Sequence, residues 1–126
     1  MKFIFIITTF YMLTSCGENS KRKIYQSPEK VTEKFAVYML TGDFENAKDF
    51  AAPKTVKLIT YIEENIKPEK LKEIQGYTVT FNKIECKITT DTTAVCNCDL
   101  VYRGENRSEV YNLKKIDNRW LVTKTL

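Results

Sequence analysis

The chain opens on an almost unbroken apolar run, Phe3 to Met12, which Lys2 precedes and Leu13-Thr14-Ser15-Cys16 ends before the polar Gly17-Glu18-Asn19-Ser20. A helix that spans the hydrocarbon needs about 20 apolar residues, so a run this short predicts a leader and not a permanent span. From Gly17 to Ser27 the apolar periodicity is gone, and the stretch, with its Lys21-Arg22-Lys23 cluster, reads as a flexible tether. At Ser27-Pro28-Glu29 a capping hydroxyl, a proline at the first helical position and an acid in the first turn coincide. Val31, Phe35, Tyr38 and Met39 follow at helical spacing, predicting a first helix over Pro28 to Leu40 that Thr41-Gly42 terminates. Asp43 caps a short second helix carrying Phe44, Ala47 and Phe50. Pro53 starts a third with Val56, Leu58, Ile59, Ile62 and Ile66, Pro68 ends it, and Glu69 to Ile74 add a turn.

From Gly76 the period changes to two, and Thr, Val, Ile, Tyr and Phe dominate. Four strands are predicted: Tyr77 to Thr89, Thr93 to Arg103, Ser108 to Ile116 and Arg119 to Lys124. Turn chemistry joins them at Thr90-Asp91-Thr92, Gly104-Glu105-Asn106 and Asp117-Asn118. The expected fold is α+β, with N-terminal helices packed on one face of a curved four-stranded antiparallel sheet. The organisation that follows is a leader over 1–15, Cys16 with a tether to 27, and one domain over 28–126.

Leu-Thr-Ser-Cys after a short leader resembles the bacterial lipobox, in which a lipid joins the cysteine thiol and the leader is cut just before it. The resemblance implies that Cys16 is lipidated and becomes the mature N-terminus, a two-signal anchor that exceeds the marginal hold of one acyl chain. An ordinary signal peptide and an uncleaved anchor are the competing readings. The basic cluster at Lys21 either contacts anionic head groups or is simply a solvated linker. Gly17 is not the aspartate typical of inner-membrane retention in enteric lipoproteins, which implies the cell envelope and the periplasmic face of an outer membrane.

Three longer stretches, SPEKVTEKFAVYMLTGDFENAKDFAAPKTVKLI, DTTAVCNCDLVYRGE and NLKKIDNRWLV, resemble a family of small bacterial lipoprotein domains of unknown function. That family lies in the nuclear-transport-factor-two-like (SnoaL-like, cystatin-like) superfamily, whose members fold as a helical cone on a curved sheet. The chain departs from the usual pattern at Ala52, where a capping hydroxyl is common, and at Asn118, where glycine is usual. The family brings no characterised catalytic residues. Enzymes of the superfamily, such as ketosteroid-isomerase-like proteins, place an acidic base and a hydroxyl donor inside the cone. The residues here that could line such a pocket are Tyr38, Tyr61, Tyr77 and Tyr102, with Glu85, Asp99 and Glu109 as acids on strands. Their spacing specifies no shared site, and each is more simply a packed aromatic or the solvent side of a half-buried strand.

The formal charge of +4 drops by one when Lys2 leaves with the leader, and both signs alternate along the chain, which excludes a nucleic-acid footprint. There is no histidine, which removes Ser-His-Asp and Cys-His catalysis and imidazole metal sites. The expected function is therefore a membrane-anchored, non-catalytic binding or protein-interaction module without metal or cofactor, bound to membrane lipid through Cys16 and taking a small apolar ligand or an envelope protein. Val79, Phe81, Val101, Val110 and Leu113 suggest either a pocket, a homodimer through the outer sheet face, or no more than a complete core. The alternative function is a small isomerase- or dehydratase-like pocket enzyme.

Cys86, Cys96 and Cys98 flank the first hairpin turn. If Thr89 faces Thr93, then Cys86 faces Cys96, Lys83 faces Asp99 and Glu85 faces Asn97. Pairing Cys86 with Cys98 instead would set Glu85 against Asp99, a repulsive cross-strand pair. A Cys86–Cys96 disulfide with Cys98 free is expected, against the competing reading of three reduced, buried thiols.

Overall fold

The computed structural model describes residues 26–123. The leader, Cys16 and nearly all of the tether lie outside the described residues. The Ser27 hydroxyl accepts a hydrogen bond from the Lys30 amide, and α1 runs over Pro28–Leu40. Asp43 caps α2 (Phe44–Lys48) through the Asn46 amide, Pro53 opens α3 (Pro53–Asn65), and Pro68 opens α4 (Pro68–Gln75), a two-turn helix where the sequence suggests only a turn. Gly42, at φ +79°, lets α4 approach the α1–α2 corner: a Cβ there would sit 2.9 Å from Leu71 Cδ1.

The strands are β1 (Val79–Thr90), β2 (Thr93–Tyr102), β3 (Glu105–Ile116) and β4 (Arg119–Val122), antiparallel in the order β1-β2-β3-β4. Cys86 pairs with Cys96, Lys83 with Asp99 and Glu85 with Asn97, as the sequence argument expects. Thr93, however, faces Thr90 and not Thr89, and a second irregularity falls between Phe81 and Lys83. These bulges each add a residue to β1 and shift its alternation. β3 begins at Glu105, earlier than expected, because Arg103 (φ 57°) and Gly104 (φ 76°) alone make the turn. Asp117 (φ 51°) and Asn118 (φ 66°) make another of the same kind. Two successive left-handed residues match the twist of the flanking strands, so the shorter connection wins over a three-residue loop.

Ala94, Cys96, Cys98, Leu100 and Tyr102 of β2 all point inward and are buried. They pack with Tyr111, Leu113, Trp120 and Val122 of the last two strands against Val31, Phe35 and Ala36 of α1 and Phe44, Ala47, Phe50 and Ile59. Trp120 is 9% exposed and belongs to this core, with the Lys115 ammonium 5.1 Å from its ring centroid. Of the five apolar strand residues considered for an outer patch, Val79, Phe81 and Leu113 face the core, and only Val101 and Val110 lie on the other side.

The two sheet edges differ. Along β4 the loop before α3 closes the edge: the Val122 amide donates to the Phe50 carbonyl and the Ala52 amide to the Val122 carbonyl, both at 2.8 Å. Ala52 occupies the capping position of α3 at this junction. Its amide is already committed to β4, its small side chain is buried, and α3 starts without a side-chain cap. Beyond β1 there is no strand among the described residues.

Candidate functional site

Where α1 and α3 diverge from the first half of β3, the cone stays open as a cleft of about 440 Å³. Phe35 and Met39 of α1 and Ile59 and Ile62 of α3 make its apolar walls. β3 supplies Glu109 and Tyr111 from the inward side of the sheet. Leu58, 41% exposed, lies on the rim. The volume falls in the range of small-molecule sites, which are mostly apolar with a few placed polar groups.

Those polar groups are specific here. Thr55, 3% exposed, lines the cleft from the first turn of α3, and its hydroxyl has no hydrogen-bond partner among the described residues. A buried hydroxyl left unmatched costs about 1–3 kcal/mol, and of the buried side-chain atoms without a partner, Thr55 Oγ1 is the one that belongs to a cleft-lining residue. Tyr111 packs edge-on against Phe35 with ring centroids 6.0 Å apart, and burial, assisted by the nearby Glu109 charge, pushes its phenol upward, so it stays a neutral donor. Glu109 is bound to Arg107 at 2.8 Å and is partly open to solvent.

The tyrosines singled out from sequence do not meet in this cleft. Tyr38 stacks on Phe50 at 5.9 Å along a shallower depression on α1. Tyr61 is 63% exposed on the outer side of α3. Tyr77 and Tyr102 do come together, edge to face at 5.6 Å, but on the α4 side of the sheet. There Tyr77 donates to Glu73 at 2.5 Å and Tyr102 to the Leu40 carbonyl at 2.6 Å. That bond raises the Tyr77 phenol above its ordinary value and lowers the Glu73 carboxyl. Of the three acids, Glu85 and Asp99 lie on the outer face, Glu85 beside Lys83 at 3.6 Å and Asp99 accepting from the Ser108 hydroxyl at 2.9 Å. Only Glu109 reaches the cleft. Tyr111, which the sequence argument leaves out, is its principal aromatic donor. The missed signal is Tyr111's place directly opposite Cys96 in the β2–β3 register, which fixes it on the inner face.

A disulfide joins Cys86 and Cys96, with Cα atoms 4.0 Å apart, and Cys98 is free and buried. Burial pushes the Cys98 thiol up to about 11, with Glu109, Asp99 and Glu33 adding to it. It is therefore held as the neutral thiol at neutral pH. No group of three or more metal-ligating side chains occurs among the described residues.

A helical layer on a curved antiparallel sheet with a cleft at the open end is the NTF2-like fold. Among solved structures, the chain is similar to an NTF2-like transpeptidase of Campylobacter jejuni, with a TM-score of 0.56 at 16% identity over 79% of this chain and 100% of that one. A calcium/calmodulin-dependent protein kinase II association domain of Xanthomonas campestris gives a TM-score of 0.45 at 15% identity, over 94% and 92% of the two chains. No family model and no curated protein matches the chain. The first of these likenesses, at 16% identity, establishes the fold alone.

Proposed function

We propose that this is a lipid-anchored envelope protein whose NTF2-like domain binds a small, largely apolar ligand in the cleft between α1, α3 and β3. The observation that carries the binding role is the buried, unpartnered Thr55 hydroxyl in a largely apolar recess whose other polar groups, Ser108, Glu109 and Tyr111, all come from β3. A ligand with a hydrocarbon body and one hydrogen-bonding group satisfies Thr55 while covering Phe35, Met39 and Ile62, and Tyr111 offers a second donor. The anchor rests on the leader and Leu-Thr-Ser-Cys16, and an oxidised Cys86–Cys96 pair agrees with an exported domain. Catalysis is the weaker reading. Glu109, the acid at the cleft, is already engaged by Arg107 and open to water, unlike a general base held ready for a substrate proton.

The binding test uses medium-chain alcohols and carboxylic acids as probes in thermal-shift titrations. Binding in the cleft predicts that Met39→Trp, which fills it, abolishes the shift, and that Thr55→Val weakens polar-headed probes about tenfold, the equivalent of one lost hydrogen bond to a buried hydroxyl. A shift that survives Met39→Trp places the probes elsewhere. For the anchor, Cys16→Ser should move the protein from the detergent phase to the aqueous phase of a membrane extract. A wild-type protein already in the aqueous phase overturns it.

A further inference from the structure

Among the described residues no strand lies beyond β1, and a strand edge of this kind presents a row of N–H and C=O groups, of which β1 is long enough to offer many. Its Cα separation from β2 at Cys86–Cys96, 4.0 Å, is the closer of the two antiparallel spacings, that of a non-hydrogen-bonded pair. The residues that turn their backbone groups away from β2 are therefore Ile84, Cys86 and Ile88. Between the two bulges the strand is regular over Lys83 to Ile88. On the outer face this stretch carries the alternating charges Lys83, Glu85 and Lys87, and on the inner face Ile88 is 60% exposed, out of keeping with its apolar side chain.

The geometry points to a second copy of this chain as the occupant of that edge, joined β1 to β1 and antiparallel about a two-fold axis at Cys86. In this register each Glu85 faces the partner's Lys87, each Ile84 faces the partner's Ile88, and the outward backbone groups of Ile84, Cys86 and Ile88 pair with their symmetry mates. The charges select it. A two-fold axis at Glu85 sets Glu85 against itself and Lys83 against Lys87, and an axis at Lys87 sets two ammonium groups face to face, both repulsive. An axis at Ile84 pairs Lys83 with Glu85 but runs the Phe81–Lys83 bulge into the new ladder. Only the axis at Cys86 keeps the paired stretch regular, joins opposite charges and covers Ile88. The same lysines discourage pairing with unrelated edges, so the strand is selective for its own copy. The dimer extends the sheet through its edge and leaves the cleft open, so it is independent of the ligand reading.

Glu85 and the partner's Lys87 form a non-hydrogen-bonded pair in this arrangement, the kind whose Cα spacing accepts a disulfide. Full-length Glu85→Cys and Lys87→Cys chains, co-expressed and treated with a mild oxidant, should give a covalent dimer on a non-reducing gel well above either variant alone. No dimer in the mixture overturns the proposal, and equal crosslinking of Glu85→Cys by itself overturns the register. Because both positions are exposed, melting curves of each variant should match the wild type, which separates lost pairing from lost folding. In sedimentation, Lys87→Glu should weaken self-association about tenfold and Glu85→Lys/Lys87→Glu should restore it, since the reversal rebuilds both cross-strand pairs. Association indifferent to Lys87→Glu rejects it.

Discussion

The two edges of this sheet are finished in different ways. β4, four residues long, is clamped on both sides: β3 pairs with one, and the Phe50–Ala52 segment hydrogen-bonds the other. Arg119 adds a bond to the Asp49 carbonyl at 2.7 Å, and Trp120 roots the strand in the core. β1, twelve residues long, pairs with β2, has no second strand partner among the described residues, and is pinned by a covalent bridge at its middle. A short strand surrounded by partners depends on packing. A long one with no second strand beside it among the described residues depends on β2 and its crosslink, and an edge of that kind is the one on which the proposed β1–β1 pairing would form.

The contrast can be broken at either edge. Trp120→Ala should be the costliest change, lowering stability by about 3–5 kcal/mol in denaturant titration, because a large aromatic leaves a cavity that the clamped edge cannot collapse into. An unchanged midpoint would mean that β4 is held by its hydrogen bonds alone. Reducing the Cys86–Cys96 bridge should cost about 2–3 kcal/mol, the loop-closure value for its short span, without changing the fold. If reduction unfolds the domain outright, β1 contributes more than its contacts suggest. Tyr102→Phe should cost about 1 kcal/mol, the worth of one bond to the Leu40 carbonyl, and speed amide exchange where α1 ends.

The gentlest probe is pH. The folded Cys98 thiol lies near 11 and the ordinary value is 9.0, so below pH 9 it is protonated in both states and adds nothing to a pH slope. Between about pH 9 and 11 the unfolded chain loses this proton while the folded one keeps it, so stability should fall across that window. Cys98→Ala should flatten this part of the curve. An identical slope in the variant would show that the thiol titrates normally.

Most of the scaffold is legible because local signals agree with global packing. Ser27-Pro28, Asp43 and Pro53 mark helix starts through backbone chemistry that tertiary structure does not override, whereas Pro68, read as the end of α3, also opens α4. The Cys86–Cys96 register is legible because one charge pair, Glu85 against Asp99, decides it. The bulge at Phe81–Lys83 is not, since polar Asn82 fits a strand or an insertion equally well. The start of β3 is hidden by its own composition: Glu105-Asn106-Arg107-Ser108 looks like a loop, yet it pairs with β2 because Arg103 accepts a left-handed backbone on an exposed corner. The cleft is the least legible feature. Periodicity places Tyr111 and Tyr102 equally inward, and only tertiary packing separates them: Tyr102 is covered by Tyr77 and bonded to the Leu40 carbonyl, whereas Tyr111 borders the cleft.

The clamp on β4 also orders events in time. The Arg119 bond spans 70 residues of sequence, whereas the first hairpin bridges only 10 at its disulfide. Closing a long chain segment costs entropy before any contact returns it, so the β1–β2–β3 meander and the helices should assemble first. On this view β4 zips into a groove that exists only after α2 and the start of α3 have docked, and it is the last element to arrive. Substitutions at Val122 should then speed unfolding while leaving the folding rate nearly unchanged, whereas Leu100→Ala should slow folding itself.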